Sequence, residues 1–441
     1  MSSGSADSIF GTGSIGKLLL KVAPPVMLAQ LIQALYNIVD SFFVGKYSND
    51  ALTAVTVIYP IQLIIVALAV GTGVGVNTYM ARKYALGESE KARSAAGAGT
   101  TLALISWAVF ACASSLIMEP YVKLSATETG AVEQAIIYGR IVCIGSLPAF
   151  LDGIWSKVHQ ARGNMKLPML AQLAGALTNI VLDPLLIFGV GFFPELGVAG
   201  AAYATVAGQL VTALITGIRG FTVPPALSDL LHYAKRIYHY GYSSIFMQLL
   251  YTVYIVALNI ILSSFSDAAV TVLGLYYKTQ SFFFIPLFGL QTCIVPILSF
   301  NCASGNYVRC RATMKDTFII SLAFMVVGTL CFTLIPEPLI KLFSHSDEVL
   351  RIGRSAFPII GCSFFFAVFS LVMPVFFQAI GCGGKSLLLS LTRQIFLLIP
   401  LFRLLSIFGV SYVWLAFPIS EAVAGFIGAM LYRKQLRLWA V

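Results

Sequence analysis

The chain has 441 residues, of which 58% are hydrophobic and only 10% are charged. A soluble globular protein carries roughly 25% charged residues, so this composition excludes an ordinary water-exposed surface and predicts an integral membrane protein. The formal net charge of +10 is compatible with a nucleic-acid partner, but the basic residues lie in short segments between apolar runs, where they indicate membrane orientation. We therefore expect no nucleic-acid partner.

Apolar runs long enough to cross a bilayer recur along the whole chain. A spanning helix needs about 20 predominantly apolar residues to cross roughly 30 Å of hydrocarbon. Such runs lie near residues 16–44, 50–81, 94–118, 131–157, 168–190, 196–218, 233–265, 270–300, 314–343, 352–380, 386–409 and 411–433. The sequence thus predicts an all-α integral membrane protein with about twelve transmembrane helices. Prolines within these runs, including Pro24, Pro25 and Pro184, predict bends in the helices.

Lysine and arginine residues are concentrated in the segments that would lie on one side of the membrane. Arg82, Lys83, Arg162 and Arg219 are examples, whereas the opposite side has fewer basic residues, mixed with acids such as Glu119. Cytoplasmic loops carry an excess of Lys and Arg, so we expect both termini to be cytoplasmic in a multi-pass protein of the plasma (inner) membrane.

Short matches at one spacing indicate that the two halves of the chain are repeats. Three pairs of segments are each offset by 218 residues (305 − 87, 338 − 120 and 378 − 160): Ala85-Leu86-Gly87 with Ala303-Ser304-Gly305, Glu119-Pro120 with Glu337-Pro338, and Gln160-Ala161 with Gln378-Ala379. A repeat of six spans keeps its orientation, so we expect two six-helix lobes related by a pseudo-two-fold axis along the membrane normal. The predicted N-lobe is residues 1–218, the cytoplasmic inter-lobe loop 219–240 and the C-lobe 241–441. Chance similarity of loop sequences is the alternative.

Two acidic residues stand out within the predicted spans, Asp40 and Asp183, because a carboxylate there is costly and is a functional hypothesis by default. Gln33, Asn37 and Asp40 are spaced by three and four residues in the first span, and Asn179 lies one turn before Asp183 in the fifth. We predict that the two stripes face each other and that the carboxylates bind H⁺, or Na⁺ with Asn179 as a further ligand. The alternative is that each acid lies in water at the membrane interface or caps a helix.

The second half lacks these acids, since at the same offset Asp40 aligns with Leu258 and Asp183 with Leu401. Ion coupling is therefore expected in the N-terminal half alone. The second half instead carries basic residues in its spans, with an acid as a possible partner: Lys278, Arg393, Arg403 and Glu421. A structural ion pair or snorkelling to an interface explains such residues more often than substrate contact does.

Soluble catalytic motifs are missing from the sequence, so we predict no enzyme and no cofactor other than the coupling ion. There is no phosphate-binding GxxxxGK[ST] motif, and the histidines lack metal-ligand spacing. Gly71-Thr72-Gly73-Val74-Gly75 lies inside an apolar run, where close helix packing explains it better than nucleotide binding does.

Several motifs together resemble the MATE (multidrug and toxic compound extrusion) transporters, in the DinF-type or MepA-like branch. They are Tyr36-Asn37-Ile38-Val39-Asp40, Gln160-Ala161-Arg162-Gly163, Asn179 to Asp183-Pro184, and Gly197-Val198-Ala199-Gly200. The resemblance covers nearly the whole chain and implies two lobes forming a V around a central cavity. By motif, it assigns ion coupling to Asp40 and Asp183, with Tyr36, Asn179 and Thr205 as their neighbours. The C-lobe acids of the NorM-type branch have no counterpart in this chain.

The resemblance implies a secondary active multidrug efflux transporter of the MOP superfamily. It would export organic cations by antiport with H⁺ or Na⁺, by alternating access, as a monomer in the lipid bilayer. Predicted substrate contacts are Gln33, Asn37, Phe150, Met247 and Tyr254. A flippase for a lipid-linked oligosaccharide or lipid is the alternative, because the basic residues of the second half could hold a phosphate. The sequence alone identifies neither the substrate nor the coupling ion.

Overall fold

The computed structural model describes residues 9–125, 129–191, 193–344 and 346–439, and these residues are predominantly helical. Ten helices among them are long and apolar enough to cross a membrane, and two bent helix pairs bring the candidate spans to twelve. The predicted all-α membrane architecture is confirmed.

The first half of the chain forms the helices that hold the candidate site. They are α1 (Ile15–Tyr47), α2 (Asn49–Ala85), α3 (Ser89–Ser125), α4 (Thr129–Ile144), α5 (Leu147–Ala161), α6 (Lys166–Ile187) and α7 (Val198–Gly217). α4 and α5 together make one span that is bent by 43°. The bend lies at Gly145-Ser146, a Gly/Ser pair of the kind that kinks helices, and the Ser146 hydroxyl donates to the Cys143 carbonyl at 2.7 Å.

The second half repeats this pattern with shorter pieces near the end of the chain. Its helices are α8 (Leu227–Ser263), α9 (Asp267–Ala303), α10 (Tyr307–Leu334), α11 (Pro336–Lys341), α12 (Asp347–Gly361), α13 (Phe364–Ala379), α14 (Gly383–Leu391), a π-helical segment (Thr392–Leu398), α15 (Ile399–Ser406), α16 (Val410–Val413) and α17 (Ala416–Leu438). α12 and α13 form a span bent by 55° at Cys362-Ser363. Both sharp bends therefore lie away from Pro24, Pro25 and Pro184, which are inside continuous helices.

Most of the segment 219–240, predicted as a loop, is helical, because α8 already begins at Leu227. The reason is an apolar face that packs on α2. Ile237 is fully buried, and the rings of Tyr233 and Tyr240 lie 6.2 and 6.4 Å from the ring of Tyr79.

Local geometry supports the repeat at the offset of 218 residues. α2 and α9 each contain 37 residues, and their N-cap serines, Ser48 and Ser266, accept hydrogen bonds from Ala51 N and Ala269 N at 3.0 and 3.3 Å. Both helices are followed by a glycine at φ +73°, Gly87 or Gly305. Only glycine adopts this left-handed conformation without steric cost, so the same turn is encoded twice.

The described residues pack as two compact units. The first contains residues 9–12 and Pro24–Ile245, and the second contains Gly13–Ala23 and residues 246–439. Helix α1 thus contributes residues to both units, and its membership changes at Pro24. The start of α8 belongs to the first unit.

Glycines allow α2 to pack closely against its neighbours in the first unit. A Cβ on Gly73 would overlap the carbonyl oxygen of Gly153 on α5, and one on Gly75 would overlap the carbonyl oxygen of Ile237 on α8. These contacts confirm that the glycine-rich stretch of α2 serves helix packing. They also fix α5, which carries part of the candidate site.

Candidate functional site

Two buried acids form the centre of the site in the first unit. Asp40 on α1 is 8% exposed and Asp183 on α6 is fully buried. The two carboxyl groups are close enough to interact electrostatically with each other and with the hydroxyl group of Tyr36. The structure thus brings together the acids of the two polar stripes in α1 and α6.

One oxygen atom of each acid, and one of the neighbouring Asn179, lack hydrogen-bond partners in the described part of the chain. The Asn179 Nδ2 donates to Asp183 Oδ1 at 3.2 Å. Asp183 Oδ2, Asp40 Oδ1 and Asn179 Oδ1 are closed off from solvent and accept no hydrogen bond from the residues that the structure describes. A buried acceptor left unpaired costs about 1–3 kcal/mol, so these oxygens are ready acceptors for a proton or ligands for a small cation.

A buried tyrosine that the sequence analysis missed adjoins the pair. Tyr138 on α4 is 1% exposed, interacts electrostatically with Asp40 and also contacts Thr205 on α7. Its hydroxyl accepts a hydrogen bond from Gln62 Nε2 at 3.2 Å. Tyrosines are frequent in apolar runs, so nothing in the sequence distinguishes this one.

A cavity of about 190 Å³ adjoins the acid pair in the first unit. Its lining combines small residues of α2, α5, α6 and α7 with polar side chains, which are Gln33, Tyr36, Asp152, Gln172, Asn179, Thr205, Gln209 and Thr212. Pockets for drug-sized ligands measure roughly 300–1,000 Å³. This cavity therefore has room for a small molecule or for one end of a larger one.

The predicted site residues of the first unit lie at different positions relative to the cavity. Gln33, Tyr36, Asn179 and Thr205 line the cavity, whereas Asp40 and Asp183 do not belong to its lining and reach it through Tyr36 and Asn179. Asn37 is exposed and is not part of the lining.

Phe150, predicted as a substrate contact, is a core residue instead. It is 1% exposed, and its ring lies 6.0 Å from the ring of Phe110. The cavity lining includes its neighbour Ala149 but not Phe150, because successive residues of a helix point in different directions.

The other two predicted substrate contacts, Met247 and Tyr254, belong to the second unit. Tyr254 is 3% exposed and packs with Tyr251 and Tyr277 at ring distances of 5.4 and 6.3 Å. The Ser386 hydroxyl lies 3.5 Å from Met247 Sδ. Neither residue takes part in the cavity of the first unit.

One basic residue within the spans of the second half, Arg393, forms a buried ion pair. Arg393 Nε lies 2.9 Å from Glu421 Oε1, with side chains that are only 12% and 7% exposed, and Ser370 donates a hydrogen bond to Glu421 Oε2. This pair confirms the prediction that Glu421 is a partner for a buried arginine. Arg403 and Lys278 are exposed.

Asp152 is the cavity residue that the sequence analysis overlooked. Its Oδ1 accepts hydrogen bonds from Ser156 Oγ at 2.8 Å and from Thr216 Oγ1 at 3.0 Å. The signal was present in the sequence, because an acid within the apolar run 131–157 meets the same criterion that identified Asp40 and Asp183.

Comparisons with known proteins agree with this architecture. The sequence pattern of the MatE family matches residues 25–185 and 243–402. An FAD transporter of Shewanella oneidensis is 25% identical in sequence to this chain, over 93% of each chain. A probable multidrug resistance protein NorM of Thermotoga maritima is 26% identical, over 81% of this chain and 79% of its own length. The chain is also similar to a solved structure of a multidrug resistance MATE family transporter of the MOP superfamily in an outward-facing conformation. The two superimpose with a TM-score of 0.91 at 24% sequence identity, over 100% of this chain and 99% of that one. Since the family pattern spans most of both halves, the chain belongs to the MatE family and is a multi-pass membrane transporter.

Proposed function

We propose that this transporter exports organic cations in exchange for H⁺ or Na⁺, and that Asp40 and Asp183 bind the coupling ion. The observation that carries the proposal is the buried acid pair, whose unpartnered oxygens lie next to a polar cavity. Ionisable residues held inside membrane helices are rare, and substrate or ion pathways and proton relays are among the roles that they mark.

The geometry supplies a connection between the ion and the cavity. Asn179 donates to Asp183 and also lines the cavity, and Tyr36 interacts with both acids and lines it as well. A change in the charge of the pair therefore acts on two side chains that face the substrate. A ligand shifts a conformational equilibrium only through its different affinities for the two states. Neutralising a buried carboxylate provides such a difference directly.

The charges of the described residues favour a cation over an anion as the substrate. The FAD transporter of Shewanella oneidensis raises an anionic nucleotide as an alternative, and a lipid flippase would also need to hold a phosphate. The cavity lining, however, contains the carboxyl group of Asp152 and no Lys or Arg. The buried guanidinium of Arg393 is already paired with Glu421.

We further propose that the protein works as a monomer in the plasma (inner) membrane with both termini in the cytoplasm. The orientation follows from the excess of Lys and Arg at one side: Arg82, Lys83, Lys91 and Arg93 flank the connection of α2 to α3, and Arg162 and Arg219 lie in the segments joining α5 to α6 and α7 to α8. A cation exported against its gradient would then leave from the side opposite to these segments.

Transport by the purified protein in liposomes tests the proposal. Ethidium movement is followed under separately imposed H⁺ and Na⁺ gradients, with Asp183→Asn and Asp40→Asn as test variants. Both variants keep the size of the side chain but lose the charge, so we expect gradient-driven transport to be abolished. Asp229→Asn is the matched control, because Asp229 is exposed in the first turn of α8. Full gradient-driven transport by Asp183→Asn would refute the coupling role.

A further inference from the structure

The segment that joins α7 to α8 in the first unit leaves large apolar side chains uncovered. Phe221, Val223, Leu227 and Leu231 are 55, 75, 84 and 64% exposed. The last two are one helical turn apart at the start of α8, so they project from the same side of that helix. Exposed apolar residues that are scattered singly need no explanation, but a group of them within one short segment marks an interaction surface.

Contacts within the first unit set the height of this segment relative to the membrane. A Cβ on Gly97 of α3 would overlap the carbonyl oxygen of Val223, and the ring of Phe221 lies 6.4 Å from the ring of Trp155. Residues 94–118 of α3 contain no charged side chain, so this run crosses the hydrocarbon, and Gly97 lies close to its first residue. The exposed apolar side chains are therefore level with the edge of the hydrocarbon region.

Basic residues at both ends of the segment carry charges that no acid neutralises. Arg219, Lys235 and Arg236 are exposed, and among the described residues neither they nor Arg162 takes part in an ion pair. Arg162 donates a hydrogen bond through Nη1 to the carbonyl oxygen of Arg219, which brings two arginines to one turn. Arg219 is also the one described residue other than glycine that has a positive φ, at +62°. A costly backbone conformation persists where the surroundings require it, and two arginines that share a turn without an acid partner favour a nearby anion.

We propose that residues 219–236 form a binding surface for anionic phospholipids of the leaflet on the basic side of the membrane. The apolar side chains insert among the acyl chains, and Arg219, Lys235 and Arg236 contact the phosphate groups. Apolar side chains combined with basic residues at the membrane interface are the pattern that anionic leaflets bind. A soluble anion would use the charges but leave the apolar side chains in water. This surface needs neither the coupling ion nor the transported molecule, so it goes beyond the proposed function.

Native mass spectrometry of the full chain in detergent, titrated with phosphatidylglycerol or with phosphatidylcholine of the same acyl chains, tests the proposal. The wild type should bind phosphatidylglycerol more tightly. We expect the triple variant Arg219→Gln, Lys235→Gln and Arg236→Gln to bind phosphatidylglycerol at least about tenfold more weakly, which corresponds to about 1.4 kcal/mol, and to bind phosphatidylcholine as before. All three side chains are exposed, so an unchanged melting temperature should show that the fold persists.

A matched control removes three exposed basic residues outside the segment, which form no ion pair within the described part of the chain. It combines Lys46→Gln, Arg351→Gln and Arg403→Gln. This control should keep the affinity of the wild type for phosphatidylglycerol. An equal loss in the control would attribute binding to net charge alone and overturn the proposal, as would an unchanged affinity in the triple variant of the segment.

The apolar side chains distinguish a lipid from a soluble phosphate. The double variant Leu227→Ser and Leu231→Ser keeps every charge but should also weaken the binding of phosphatidylglycerol, because both leucines are exposed and available to acyl chains. For the same reason, sn-glycerol 3-phosphate at the same concentration should not displace the lipid. Displacement by this soluble headgroup, together with full lipid binding by the double variant, would identify a site for free phosphate and overturn the assignment to lipid.

Discussion

The buried pair Arg393–Glu421 allows a quantitative test of how the second unit handles charge. Nε and Oε1 are 2.9 Å apart, and at an effective dielectric constant of 20 the attraction between unit charges at that distance is about 6 kcal/mol. The cost of taking both ions out of water is several kcal/mol per ion, so it offsets this attraction. The intact pair should therefore contribute little net stability.

Removing one partner has a different effect, since it leaves a buried charge without compensation. We expect Arg393→Met and Glu421→Gln each to destabilise the protein by roughly 3–5 kcal/mol. The double variant buries no charge and should recover most of this loss. Arg403→Met is the control, because Arg403 is exposed and most surface substitutions change stability by less than about 0.5 kcal/mol.

Melting temperatures of the four variants in one detergent, arranged as a double-mutant cycle, measure the coupling between the two side chains. The expected order places both single variants well below the wild type, with the double variant and Arg403→Met close to it. Single variants as stable as the wild type would mean that water reaches the pair. A double variant as unstable as the sum of the two single changes would mean that they do not interact.

Two further predictions concern packing and a loop carboxylate. Gly73→Ala should lower the melting temperature, because the added Cβ would overlap the carbonyl oxygen of Gly153. Gly274→Ala is the control, because the space around Gly274 is open, and it should raise helix stability by about 0.5–1 kcal/mol. Glu88 lies in the loop between α2 and α3, outside the membrane spans, and a hydrogen bond from Lys83 lowers its pKa. Ionised Glu88 therefore stabilises the fold at pH values above the usual pKa of a glutamate. This contribution is lost as the pH falls through the lowered pKa. Melting curves of the wild type and Glu88→Gln should therefore separate near neutral pH and converge in acid, and separation in acid alone would contradict the argument.

The number and order of the spans could be predicted because the bilayer fixes the length of an apolar helix. The bends at Gly145-Ser146 and Cys362-Ser363 could not, since neither break contains a proline and short serine-containing segments are common in apolar helices. The sequence also did not predict that α8 begins as early as Leu227. Its first turns carry basic residues typical of a loop, and the contact with Tyr79 that buries its apolar face becomes visible only in three dimensions.

The acid pair was predictable from charge within apolar runs, whereas Asp152 was missed by the same criterion and the position of Phe150 was predicted wrongly. Asp40 and Asp183 were found because carboxylates within apolar runs are rare. Phe150 shows the limit, because a phenylalanine in an apolar run has the same sequence pattern whether it faces a cavity or the core. Asn37 shows a second limit of sequence analysis. The spacing places Asn37 and Asp40 on one face of α1, but Asp40 lies at the buried edge of that face and Asn37 at the exposed edge.

The two halves treat their buried carboxylates in opposite ways on a similar backbone. In the second unit, Glu421 has a guanidinium and a hydroxyl as partners, so an added ion would gain nothing there. In the first unit, Asp40 and Asp183 each keep one oxygen that has no hydrogen-bond partner among the described residues. The coupling proposed above therefore uses the acid oxygens of the first unit and not the Arg393–Glu421 pair. The repeat preserves the helices but not the acids, because Asp40 and Asp183 align with Leu258 and Leu401.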